Sequence, residues 1–485
     1  MRSPHARRSN LIALTAAAVA LSLACLCLPG GVTPTPTLQP PAGRSPTPRP
    51  PDLPDEPEPG GLDGSGPWLL LETEQGLWAL SWDGSSLGRL TEVDYWEWDL
   101  PQAIQPNGNM VAYLTPPGND LHNLALNLLT VPEGNSVVMT RLTSDAAGAY
   151  ADLNPGENGF EALRAIHDQP SFAWSADGTQ LAFTAILQGP SADIYIFDLL
   201  TQEIRRVSQD EAQDFAPSWS PDGTHLVYLS VEGFGTGAGW SQSGVWLADT
   251  RGGTPVPISP ATGTGEEILG WLDDNTVVLT TWAQPCGPQQ LRLYDVSRGS
   301  EVMLEAGCIN AAAVSNRMGA VLFSNAEGAF LYSLENPQPV RVAQEPNPWI
   351  ERVRPGERLF TVRFELGGIF TYGTGEVDTQ ASPVNVDSGL LEVAEYGLIW
   401  AWTSLDPLQG GVWITGPGLE IGQIFTGPAH HPFWDLENNL IFFAPDGMGG
   451  EDIYATTFWG YFQDLTLINH IDADILEGGW IGQQP

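Results

Sequence analysis

Two segments of this 485-residue chain are nearly copies of each other. Phe172-Ala-Trp-Ser-Ala-Asp-Gly-Thr-Gln-Leu-Ala-Phe183 recurs as Pro217-Ser-Trp-Ser-Pro-Asp-Gly-Thr-His-Leu-Val-Tyr228. Each is followed by an apolar stretch ending in aspartate, Ile194 to Asp198 and Val245 to Asp249. Self-similarity at a period of roughly 40–50 residues restricts a chain to repeat architectures.

Each unit reads as four short strands. The first runs into Trp-Ser, and Asp-Gly-Thr then makes a tight turn, because glycine supplies the positive φ that such hairpins need. The second strand (Gln180 to Phe183, His225 to Leu229) is apolar, with β-branched and aromatic members. The third alternates aromatic and aliphatic residues. A polar turn (Leu200 to Glu203, Arg251 to Thr254) leads to the fourth, Ile204 to Val207 or Val256 to Ile258. One such sheet cannot bury both faces alone, and radial stacking of neighbours solves this as a β-propeller. Degenerate copies extend the pattern to eight full units between about Tyr95 and Ile471. Trp68 to Thr91 supplies three strands without a first, and Ile475 to Ile481 supplies a lone one. Pairing them closes the ring and removes two open edges. The expected fold is all-β, a single propeller of eight or nine four-stranded antiparallel blades over residues 68–485.

The Trp-Ser-Pro-Asp-Gly turn and the following Ile-Tyr or Val-Trp strand resemble the repeats of TolB-type, WD40-like propellers. The match is specific at Trp174 to Gly178 and Trp219 to Gly223 and pattern-grade elsewhere. That resemblance implies a platform for binding protein or ligand. It transfers no catalytic residue.

Residues 1–28 read as an export segment: Arg2, Arg7 and Arg8 precede an apolar run from Leu11 to Leu28. Cys25 follows Ser-Leu-Ala and looks like a bacterial lipoprotein cleavage site, although Ser22 stands where a leucine is usual. Lipidation at Cys25, ordinary cleavage and an uncleaved anchor remain open, and each places the chain outside the cytoplasm. Residues 29–67, rich in Pro, Thr, Gly and Ser, read as an extended tether. Of four cysteines, Cys286 and Cys308 alone belong to the propeller; in an oxidising compartment they form a disulfide or remain two thiols.

The formal net charge is −39, and all 19 basic residues are arginine. Nucleic acid is therefore not expected as a partner, because phosphate binding needs a basic footprint. A serine-hydrolase elbow would require Gly-x-Ser-x-Gly, and Gly239-Trp-Ser-Gln-Ser-Gly244 has the wrong spacing. His430 and His431, as strand neighbours, are expected to point to opposite faces. Asp446 to Asp452 lacks the alternating oxygen ligands of an EF-hand and reads as a glycine-rich loop. Neither a metal nor a cofactor is expected. The many strand tryptophans, among them Trp174, Trp219, Trp246, Trp271, Trp413 and Trp434, are expected to pack between blades.

Loop length separates the two rims of the disc. The one-to-two and three-to-four turns are short. The longer segments join strands two and three (Thr115 to Asn123, Val231 to Ser243, Trp282 to Gln289, Thr403 to Gln409, Pro445 to Glu451) or link blades, as Ser144 to Gln169 does with a short helix at Asn158 to Ile166. Both long classes emerge on one rim, where function concentrates. Tyr150, Phe160, Glu161, Phe234 and Trp240 are the candidate contacts there. The expected protein is a monomeric, exported, membrane-tethered, non-catalytic scaffold for a protein, peptide or glycan. A lyase or glycosidase at the axial mouth and a purely structural envelope component are the alternatives.

Overall fold

The computed structural model describes residues 62, 66–91, 100–115, 124–143, 158–167, 172–233, 244–259, 265–283, 287–344, 349–350, 360–363, 369–372, 391–394, 399–404, 410–415, 422–435, 439–457 and 465–482. The chain divides into two compact units, Met1–Gly43 and Arg44–Pro485, and every described residue belongs to the second.

The described residues form nine antiparallel sheets, seven of four strands and two of three. Blade 1 joins Trp68–Thr73, Gly76–Ser81 and Leu87–Arg89 to the C-terminal strand Ile475–Ile481. Blade 2 is Met110–Thr115, Ala125–Thr130 and Ser136–Arg141, with Ile104 bridging Val111 where a first strand would lie. Blade 3 runs from Phe172–Trp174 to Ile204–Arg206, and blade 4 from Gln213–Trp219 to Val256–Ser259. Blade 5 spans Gly265–Trp271 to Ser300–Cys308, and blade 6 Ala311–Ser315 to Val340–Ala343. Blade 7 is the second three-stranded sheet, Trp349–Ile350 to Ile369–Tyr372. Blade 8 spans Leu391–Ala394 to Gly422–Thr426, and blade 9 His430–Trp434 to Thr466–Ile471. The count is therefore nine, and the ring closes as a composite blade, with Trp68 opposite Ile481 and Thr73 opposite Ile475.

Burial follows position in the blade. Middle strands are covered on both faces, as at Gly76–Ser81, whereas the outer strand Ser136–Arg141 is largely exposed. Blade 3 meets blade 4 through Ala182, Ile194 and Ile196 against Trp219, Leu226 and Tyr228. The repeat tryptophans lie in these seams and also bond across them. Trp174 Nε1 donates to Ala103 O (2.8 Å), Trp219 Nε1 to Ala173 O (2.9 Å) and Trp271 Nε1 to Ser218 O (3.3 Å). Each indole thus reaches the inner backbone of the preceding blade.

The Asp-Gly-Thr turns are capped locally. Asp222 Oδ1 accepts from the Ser220 hydroxyl (2.7 Å) and from Thr224 N–H (3.0 Å), and Asp177 repeats this with Ser175 and Thr179. Gly178 and Gly223 both have φ near +70°. At Gly178 a Cβ would also lie 2.3 Å from Pro106 O, so this turn is seated against blade 2.

One expectation changes here, and the sequence position of Cys308, near the start of the sixth unit, is resolved. Trp282 to Gln289 is mostly strand: Trp282 pairs with Pro288 and Ala283 with Gly287, because bulges between Leu279/Thr281 and Gln289/Leu291 let the hairpin continue. Cys308 ends the outer strand of blade 5, opposite Gln289, and does not begin the next blade.

Candidate functional site

The up-and-down strand order places every two-to-three connection and every inter-blade link on one rim. The described parts of that rim differ from the opposite one in how they treat carboxylates. On the short-turn rim the aspartates are solvated caps. Hydrogen bonds from the Ser85 hydroxyl and backbone hold Asp83 below its ordinary value, and Arg251 does the same for Asp249. On the long-loop rim several carboxylates are buried and pushed the other way.

Blades 3 and 4 show this most clearly. Asp193 opens the third strand of blade 3 and is fully buried; its Oδ2 pairs with Arg206 at 2.7 Å. Burial outweighs that guanidinium and raises Asp193 to about 6. Asp214, on the inner strand of blade 4, is likewise fully buried, and neither of its oxygens has a hydrogen-bond partner. Burial, then the nearby Asp210 charge, raises it well above the usual carboxylate range, and the adjacent Ser208 and Ser230 hydroxyls, short of hydrogen-bonding geometry, oppose this only in part. Asp214 lies opposite Ser230 in register, two residues from Tyr228, so it faces the seam with blade 3. Thr184 Oγ1 and Gln213 Nε2 are also buried without partners. Gln213 Oε1 accepts from Ala192 N–H (2.9 Å), and Asp214 N–H donates to Ala192 O (2.9 Å), tying the two blades at this point.

Helix Asn158–His167 packs on both the inner strand of blade 4 and the second strand of blade 3. Its apolar face (Ala162, Ala165, Ile166) joins the core. Glu161 is only 3% exposed, which removes it as a free surface contact. A Cβ at Gly233 would lie 3.9 Å from Glu161, so the helix abuts the base of the segment that begins at Val231. The structure thus brings together two of the long segments singled out from sequence. Tyr150, Phe234, Trp240, Cys25 and Cys286 lie outside the described residues, as does the Phe160 side chain. Cys308 is disulfide-bonded.

Blade 9 carries a second polar group on the same rim. His430 Nδ1 lies 2.7 Å from His431 Nδ1, and His430 Nε2 lies 2.8 Å from Glu451. The two imidazoles therefore meet, contrary to the alternation expected of strand neighbours. The cause is a register shift between His430 and Phe433, with φ of +46° at His431. Ala216-Pro217 in blade 4 has the same feature (φ +53°, shift between Phe215 and Ser218), so it belongs to the repeat. Burial, and secondarily His430, lowers His431 to about 4. His470 contacts Asp452 through Nδ1 (3.0 Å) and Asp472 through Nε2 (2.8 Å). In blade 5, Arg292 forms a buried pair with Glu266. Among the described residues, no three or more His, Cys, Asp or Glu side chains are arranged to hold a metal ion. No described helix is long and apolar enough to cross a membrane.

A ring of antiparallel blades closed by pairing of its first and last described strands defines this protein as a β-propeller, with a stretch similar in sequence to TolB. No family model matches the chain. It is 38% identical over 85 residues to the Tol-Pal system protein TolB of Alcanivorax borkumensis, covering 17% of this chain and 19% of that protein. It is 22% identical over 134 residues to dipeptidyl-peptidase 5 of Porphyromonas gingivalis, covering 26% of this chain and 19% of that one. The chain thus spans about a fifth of the length of these curated relatives. Among solved structures, a eukaryotic initiation factor superposes with a TM-score of 0.53 at 10% identity, over 86% of this chain and 98% of that one, a likeness of fold alone.

Proposed function

We propose that this protein is an exported, membrane-tethered, TolB-like scaffold that binds a protein, peptide or glycan through its long-loop rim without catalysis. The observation that carries the reading is the junction over blades 3 and 4, where helix Asn158–His167 meets the base of the segment starting at Val231. Two long connections converge there on a rim whose opposite is built from short capped turns, and long segments on a rigid scaffold are where binding residues concentrate. The similarity to TolB supports a scaffold role, and the basic n-region with its apolar run supports export. The acidic, lysine-free surface favours neutral or cationic ligands.

The test is a pull-down from envelope extract with the full chain and with a variant lacking residues 231–243. Loss of the recovered partner from the variant is expected. Equal recovery by both would overturn the rim as the binding surface.

A further inference from the structure

The seam between blades 3 and 4 holds more negative charge than it balances. Asp210 disfavours ionisation of both Asp193 and Asp214, Asp193 does the same to Asp214, and Arg206, the cation beside them, is already committed to Asp193 Oδ2. Asp193 Oδ1, both oxygens of Asp214, Thr184 Oγ1 and Gln213 Nε2 are buried without hydrogen-bond partners. A buried carboxylate in that condition needs a proton or a cation. The donor set disfavours a metal, because among the described residues no three ligating side chains are arranged to hold one and a guanidinium already stands at Asp193. Ser208 Oγ accepts from Ile194 N–H (3.0 Å), and Ser230 lies opposite Asp214 in register. A neutral carboxylic acid between these hydroxyls both donates and accepts, whereas a carboxylate only accepts.

We propose that Asp214 is a proton-controlled latch: as the neutral acid it holds the blade 3–blade 4 seam closed, and on ionisation it loosens the long-loop rim above it. The groups facing it are Asp193 from blade 3, Asp210 from the link, and Tyr228 with Ser230 from its own blade. Helix Asn158–His167, bearing Glu161 and Arg164, packs on the strand that carries it. Ser230 ends one residue before the segment from Val231, so seam and rim are mechanically continuous. The latch rests on the proposed binding role of that rim but is read out separately from it, so either can fail alone.

The experiment is hydrogen exchange on the full chain at pH 5 and pH 8, corrected for intrinsic exchange, following residues 158–167 and 225–233. The wild type is expected to lose about tenfold or more of its protection on going from pH 5 to pH 8, because a raised acid stabilises the seam below its folded value and stops doing so as pH rises through it. Asp214→Asn, a near-isosteric neutral group, keeps its protection at both pH values. Asp210→Asn, in the link beside Asp214, moves the wild-type midpoint, read in steps between those two pH values, to lower pH by removing a repelling charge. A pH-independent wild type would overturn the latch. So would an Asp214→Asn variant that tracks the wild type, or an unmoved midpoint in Asp210→Asn. Calcium chloride restoring protection at pH 8 would also overturn it, by showing that a metal cation fills the seam.

Discussion

Trp219 and Trp434 occupy the same repeat position, each after a proline two residues earlier and each 8% exposed. They differ in one bond. Trp219 Nε1 donates to Ala173 O across the seam, whereas Trp434 Nε1 has no partner. Replacing either by phenylalanine removes similar ring volume and leaves a similar packing defect. Trp219→Phe additionally forfeits a hydrogen bond, worth about 1 kcal/mol net, while Ala173 keeps its ladder pairing with Ala182. Trp434→Phe deletes an unsatisfied donor, which offsets part of its packing loss. The two variants should therefore differ by about 1 kcal/mol or more, with Trp219→Phe the less stable. Urea unfolding followed by circular dichroism measures this, at equal slope, as a separation of midpoints. Midpoints giving stabilities within about 0.5 kcal/mol of each other would refute the claim that indole bonds stitch blade to blade.

Three further outcomes follow from particular residues. Gly178→Ala should cost more than Gly223→Ala: both pay for φ near +70°, but a Cβ meets nothing within 4 Å at Gly223 and lies 2.3 Å from Pro106 O at Gly178; equal melting temperatures would contradict the seating of that turn on blade 2. Asp193 has an ordinary value of 3.8 and a folded value of about 6, so its contribution to stability is fully present below pH 3.8 and is lost as pH rises through 6. That loss is about 3 kcal/mol, and thermal melts of Asp193→Asn should lack that decline while the wild type shows it. Cys308 is disulfide-bonded, and Cys286 is proposed as its partner; non-reducing peptide mapping should recover the linked pair, and a linkage to another cysteine would refute that pairing.

Much of the architecture is legible in the sequence. The Asp-Gly-Thr turns, the apolar second strands and the incomplete ends at Trp68 and Ile475 anticipated the blades and their closure, because turn chemistry and strand alternation are local properties. The helix at Asn158–His167 was legible for the same reason. What escaped the sequence was non-local. Glu161 is a candidate contact of the long-loop rim by its place in a long insertion, but it is buried beside Gly233, at the base of another long segment. His430 and His431 were expected to diverge, and a bulge shared with Ala216-Pro217 turned them together. That bulge has a readable signal, the proline two residues before Trp219 and before Trp434.

The sequence alone determined a closed propeller of repeating four-stranded units, because each sheet leaves two apolar faces that only neighbouring blades can cover. Only the tertiary structure decided which aspartates are caps and which are buried acids. Asp177 and Asp222 sit in water-facing turns where local donors favour the anion, while Asp193 and Asp214 are sealed between blades where desolvation favours the neutral form. The same side chain has opposite electrostatics at capped and at sealed positions, Asp446 on the long-loop rim being a cap held low by backbone donors. Burial between segments distant in sequence sets that difference, and no local pattern encodes it.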